Sequence, residues 1–203
     1  LKGVPFHSSM VMLVEAVFTA VFIPFSAYYL WKYFFGYKKI NVVISCVDDS
    51  LRRAVTTRIV DSKSDDGEWP VRLIGGILYK CRFGWDEYKF LELNSYPQRF
   101  HDFMENVKVI IFIVDSAQSE LDQKDSVELF ELLTTYEVLK NARLLIYTLK
   151  RDPKTESEQI SDEEITEIYG LERISQKWRI QPLAVPMFIG LKEGINWIRK
   201  EMK

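Results

Sequence analysis

The sequence predicts an α/β protein: a doubly wound, mostly parallel sheet with helices on both faces, preceded by one transmembrane helix. Three observations carry that expectation. Apolar strand-like runs alternate with helical stretches through the last four fifths of the chain, as crossover connections require. The run VKVIIFIVD (107–115) is apolar almost throughout, as a strand covered on both faces must be. Residues 10–35 hold only two charges, Glu15 and Lys32. The implied division is an N-terminal segment at 1–9, the membrane helix at 10–36 and a globular domain at 37–203.

Bulk properties narrow the function. With 203 residues, 47% of them hydrophobic, the chain can bury one ordinary core with an appendage left over. A formal charge of −2 offers no basic footprint, so no nucleic-acid partner is expected. Cys46 and Cys81 lack CxxC spacing and only His7 and His101 stand beside them as soft ligands, so both read as reduced core residues with no metal site. Leu1 in first position implies either a start inside a longer chain or a processed N-terminus, the latter favouring an organelle.

Taken in order, the first element is MVMLVEAVFTAVFIPFSAYYLWKYFF. At about 1.5 Å per residue such a helix reaches 30 Å or more, the thickness of bilayer hydrocarbon. Tyr28, Tyr29, Trp31 and Tyr33 then form an aromatic belt ahead of Lys38 and Lys39, which places the domain on the cytoplasmic or matrix side. Glu15 is a membrane-embedded charge costing roughly 2.5–3.5 kcal/mol unless it snorkels or pairs with a partner helix, and Pro24 is expected to kink the span. INVVISC (40–46) reads as a buried strand and residues 51–61 as a helix. VRLIGGILYKCRF (71–83) and EYKFLEL (87–93) read as a strand pair joined at Gly84, Trp85 and Asp86. After VKVIIFIVD come a helix in LDQKDSVELFELLTTYEVL, a strand in ARLLIYTL, and a helix opened by a Ser161/Glu164 capping box. The chain closes with QPLAVPMF as a strand and GLKEGINWIRKEMK as an amphipathic helix.

Several stretches resemble the ADP-ribosylation-factor and Arf-like small GTPases: IIFIVDSA (110–117), EVLKNARLLIYTLKRD (137–152), DEEITEIYGLERI (162–174) and WRIQPLAVPMFIGLKEGINWI (178–198). In the last of these Trp178, Gln181, Gly190, Gly194 and Trp197 keep the family's spacing. The resemblance implies a Ras-like P-loop fold over roughly 38–203. A membrane helix ahead of such a domain is also the layout of the signal recognition particle receptor beta subunit. The nucleotide positions that the resemblance implies are changed. In the GxxxxGK[ST] pattern, glycines let amides wrap phosphate, lysine meets it and a hydroxyl binds magnesium; here those places hold Cys46, Leu51, Arg52 and Arg53. A shifted register recovers only Thr56 as the hydroxyl. Leu73 stands for the switch threonine, Asn94 for the aspartate of the next motif and Gln98 near the water-positioning glutamine, with Pro97 in place of a glycine. The guanine-reading Asn-Lys-x-Asp is reduced to Leu149, Lys150 and Asp152.

The expectation is therefore a membrane-anchored Arf-like pseudo-GTPase without catalytic residues, bound GTP or GDP, or magnesium. Asp48, Asp49, Arg52 and Arg53 are expected to form a charged surface patch. Its partners would be the bilayer and the integral membrane and soluble subunits of a larger complex, with no small-molecule substrate, in the endoplasmic reticulum or the mitochondrial inner membrane. Three alternatives stand beside it: a receptor-beta-like subunit in endoplasmic reticulum targeting, an accessory subunit of a respiratory or ATP synthase complex, and an atypical GTP-binding protein. The acidic run from Glu156 to Glu167 is spaced as a solvated helix face, and neither histidine sits in a hydrolase motif.

Overall fold

The computed structural model describes residues 26, 28, 30, 38–61, 70–73, 76–83, 86–93, 100–150 and 160–203. The chain divides into two compact units, 1–38 and Lys39–Lys203. Most of the transmembrane helix expected at 10–36, with Glu15 and Pro24, lies outside the described residues; Ser26, Tyr28 and Leu30 are helical and exposed. Among the described residues no helix is long and apolar enough to cross a membrane.

The second unit holds β1 (Lys39–Ser45), α1 (Asp49–Asp61), β2 (Val71–Leu73), β3 (Gly76–Phe83), β4 (Asp86–Leu93), α2 (His101–Met104) and β5 (Val107–Asp115). It continues with α3 (Glu120–Thr135), β6 (Arg143–Lys150), α4 (Asp162–Ile168), β7 (Trp178–Ala184) and α5 (Leu191–Glu201). The strands form one sheet in the order β2-β3-β4-β1-β5-β6-β7. β4, β1, β5, β6 and β7 run parallel, while β2 and β3 pair antiparallel at one edge. The doubly wound architecture expected from the sequence is the one observed.

Two boundaries differ from expectation. Residues 71–83 are two antiparallel strands rather than one. At the start of β3 a Cβ on Gly76 would lie 2.6 Å from the Glu92 carbonyl oxygen, so β3 enters beside β4 on a glycine. The strand expected at 181–188 starts at Trp178 and stops at Ala184. Pro182 is tolerated within it because β7 is an edge strand with one neighbour.

Alternation along each strand divides the core into two layers. Ile40, Val42, Ile44, Phe90 and Ile111 pack with Val55 and Ile59 of α1 and with Leu191 and Ile198 of α5. Val43, Leu91, Ile110 and Phe112 pack on the other face with Phe130 and Leu133 of α3 and Ile165 of α4. The rings of Phe112, Phe130 and Tyr169 meet edge to face at 5.1–5.9 Å, the arrangement aromatic quadrupoles favour. Gly194 lets α5 sit close on the sheet, since any side chain there would run into the Tyr147 hydroxyl, which donates to the Leu191 carbonyl at 2.8 Å. Cys46 and Cys81 are free thiols in the core.

Candidate functional site

β1 has β4 on one side and β5 on the other, and the chain winds outward from it in both directions. Ligands of such sheets bind outside the carboxyl ends of the strands at this switch point. The connection there is short. β1 ends at Ser45 and α1 begins at Asp49, leaving only Cys46, Val47 and Asp48. Leu51, Arg52 and Arg53 are already helical, so their amides run along the helix axis and do not wrap a loop.

The first turn of a helix presents amides without intrahelical partners, and a bound phosphate uses them. Here Asp48 uses them. Its Oδ1 accepts from the Ser50 amide at 2.7 Å, the Ser50 hydroxyl at 2.6 Å and the Leu51 amide at 3.2 Å. The carboxylate is an N-cap, and its charge also meets the positive end of the helix dipole. Arg52 is 3% exposed and turns back across the connection: Nη1 donates to the Cys46 carbonyl at 3.2 Å and Nη2 pairs with Asp49 Oδ1 at 2.7 Å. The expected four-residue surface patch is thus corrected. Arg52 is interior, its head group meeting the Cys46 carbonyl just past the end of β1, while Arg53 is exposed. Thr56 is buried and its hydroxyl donates to the Arg52 carbonyl at 2.9 Å within its own helix. Leu51 packs against the core.

The neighbouring loops are committed in the same way. Leu149 is fully buried, and its carbonyl accepts from both the amide and the hydroxyl of Ser116. Lys150 Nζ donates to the Ile160 carbonyl at 2.9 Å and lies 3.8 Å from Asp162, whose carboxylate also accepts from Thr148. The Val185 amide donates to the Lys150 carbonyl at 3.0 Å. Beyond it Phe188 has φ 55°, and Met187 and Ile189 are 72% and 68% exposed. Leu73 is exposed on β2. Asn94, Gln98 and Asp152 lie outside the described residues.

A cavity of about 330 Å³ opens between the β1 and β5 ends, lined in part by Cys46, Asp48, Asp115, Gln118, Asp122 and Ser126, with no lysine or arginine in its wall. Its charge is negative. Beneath it Gln118 donates to the Tyr169 hydroxyl at 3.3 Å, which donates to Ser126 at 2.8 Å. Burial raises the Tyr169 hydroxyl above the usual phenol range despite these bonds. Burial likewise pushes the Cys46 thiol up to about 12, which leaves it without nucleophilic character at neutral pH. Among the described residues no group of three His, Cys, Asp or Glu side chains is placed to hold a metal ion.

Sequence reasoning missed Asp48 as a cap and Arg52 as an interior group. The first carried a signal, since acid ahead of a helical stretch is a start pattern. The second carried none, because its acceptor is supplied by the fold.

Comparison with known proteins is one-sided along the chain. The ADP-ribosylation factor family matches residues 95–202, more than half of the sequence, beginning just after β4. ADP-ribosylation factor-like protein 3 of Caenorhabditis elegans is 31% identical over 103 residues, covering 50% of this chain and 54% of that protein. Its namesake in Chlamydomonas reinhardtii is 29% identical over 105 residues, covering 51% and 57%. The chain thus spans about half the length of the curated relatives it matches. The Arl6 BBS3 small GTPase from Trypanosoma brucei, solved with bound nucleotide analogue GppNp, superposes with a TM-score of 0.64 at 15% identity, covering 81% of this chain and 97% of that one. That likeness establishes the fold.

Proposed function

The chain belongs to the ADP-ribosylation factor family, and from that premise we propose that it is a membrane-anchored pseudo-GTPase, serving as a structural or docking subunit of a membrane protein complex. The observation that carries the reading is the Asp48 carboxylate bonded to the first amides of α1. It puts a covalently attached anion where a nucleotide phosphate would need donors. A guanine nucleotide with magnesium does not fit these residues. Arg52 directs Nη1 to Cys46 and Nη2 to Asp49, the Thr56 hydroxyl is taken by its own helix, and Lys150 is taken by Ile160 and Asp162. The adjoining cavity would set three carboxylates against a polyphosphate.

Fold and chemistry separate readily, and a scaffold retained without its site is retained for its surfaces. The apolar stretch 10–35 supports the anchor, and the basic residues that follow it support a domain on the cytoplasmic or matrix side. Extraction of native membranes in mild detergent followed by affinity capture of the full chain tests the subunit role. Integral membrane and soluble chains in fixed proportion are the expected result, and a solitary chain contradicts it. A receptor alpha subunit among them would instead select the endoplasmic reticulum targeting role.

A further inference from the structure

Two groups of opposite charge are buried between α1 and the sheet. Glu92, near the end of β4, is 1% exposed, and Arg52 is 3% exposed. Among the described residues neither oxygen of the Glu92 carboxylate has a hydrogen-bond partner, and neither has the Arg52 Nε. Glu92 pairs in register with Ile44, so its side chain enters the layer that α1 covers, as Arg52 does from the helix. The Tyr79 hydroxyl on β3 senses both: burial first and the Glu92 carboxylate second raise it above the ordinary phenol value, while the Arg53 and Arg52 guanidiniums act the other way.

A carboxylate held out of water without a partner is strongly unfavourable, and an unbonded guanidinium N–H beside it adds to that. The two would relieve each other, yet Arg52 directs Nη2 to Asp49, whose side chain is 65% exposed. An exposed carboxylate contributes little to such a pair, because water competes for it. The path between the two carboxylates is short. Nη1 is held by the Cys46 carbonyl, two residues along β1 from the row of Ile44 and Glu92, or about 7 Å. A planar guanidinium turning on that bond can present Nε and Nη2 together, the fork that a carboxylate accepts side by side.

We infer that Arg52 is a two-position switch, resting on Asp49 at the surface or on Glu92 inside, and that neutralising Asp49, as a partner's basic side chain would, moves it from the first to the second. One side chain then carries a contact made at the start of α1 to the end of β4. The Cys46 bond is kept in both positions, so the phosphate position stays closed throughout. No membrane anchor enters the argument, and the inference stands apart from that reading.

The full chain in detergent, labelled with nitrogen-15 arginine, reads the position directly by NMR, with the Arg52 Nε–H signal assigned by its loss in Arg52→Lys. Asp49→Asn, a change at an exposed side chain, should shift that signal downfield and slow its exchange with water roughly tenfold or more, as a new bond to a buried carboxylate requires. Asp49→Asn/Glu92→Met should return both to their wild-type values, and Arg53→Gln should alter neither. A urea double-mutant cycle on Arg52→Met and Glu92→Met gives a second readout. Their coupling, as a factor in the unfolding constant, should be roughly tenfold larger in the Asp49→Asn background than in the wild type. An Arg52 signal indifferent to Asp49→Asn, or one that moves equally in Asp49→Asn/Glu92→Met, would overturn the switch. So would equal coupling in the two backgrounds.

Discussion

Asp48 satisfies the opening of α1 with one carboxylate oxygen, and its removal leaves the Ser50 and Leu51 amides without that acceptor. Asp48→Ala should therefore cost about 1 kcal/mol of stability by urea denaturation, with Asp48→Asn costing less because its amide oxygen can still cap. Neither change should create nucleotide affinity, since Arg52 remains across the connection. Ser161 and Glu164 cap α4 reciprocally, at 3.1 Å and 2.8 Å. Ser161→Ala should cost about 1 kcal/mol by the same measurement. The Ser161 hydrogen bonds hold the Glu164 carboxyl below its ordinary value of 4.5. A carboxyl depressed in the folded state contributes stability above that ordinary value and loses it as pH falls through the folded one. The stability of the wild type should thus fall more steeply below about pH 4.5 than that of Glu164→Gln. The α4 box was legible in the sequence because both partners lie within one turn. Arg52 was not, because its acceptor is the Cys46 carbonyl at the end of β1.

Among the elements, continuous apolar strands were the most legible, and VKVIIFIVD is β5 to the residue. Periodicity does not register where a strand must stop. The close entry of β3 beside β4 depends on the glycine at 76, and β7 ends where Ala184 pairs with Ile189. α5 offers the sharpest test of element packing. Gly194→Ala drives a methyl into the Tyr147 hydroxyl and should destabilise the domain by about 1–3 kcal/mol. Tyr147→Phe alone removes the hydrogen bond to Leu191, at about 1 kcal/mol. The double variant Gly194→Ala/Tyr147→Phe should lose less than the sum of the two changes, because the nearest clashing atom is gone. It should stay less stable than Tyr147→Phe, because the ring carbons Cζ and Cε1 remain at 2.7 and 2.8 Å from the methyl. Additive losses in a urea double-mutant cycle would contradict that packing.

At the scale of the whole molecule, the family match and the altered phosphate-loop positions occupy different parts of the chain, whereas the altered Leu149 and Lys150 fall inside the match. The matched region begins at residue 95, whereas Cys46, Asp48, Leu51 and Arg52 precede it. The sheet order survives in both halves because apolar alternation is enough to specify it, while phosphate binding demands particular residues at each place in one loop. On the proposed reading Asp48 and Arg52 take over the phosphate position. Its most direct test is the nucleotide content and affinity of the full chain purified in detergent, read by chromatography of the denatured supernatant and by titration with fluorescent GTP and GDP in magnesium. No co-purifying nucleotide and no saturable binding through the micromolar range are expected. A stoichiometric guanine nucleotide, or micromolar binding that Arg52→Ala abolishes, would contradict it.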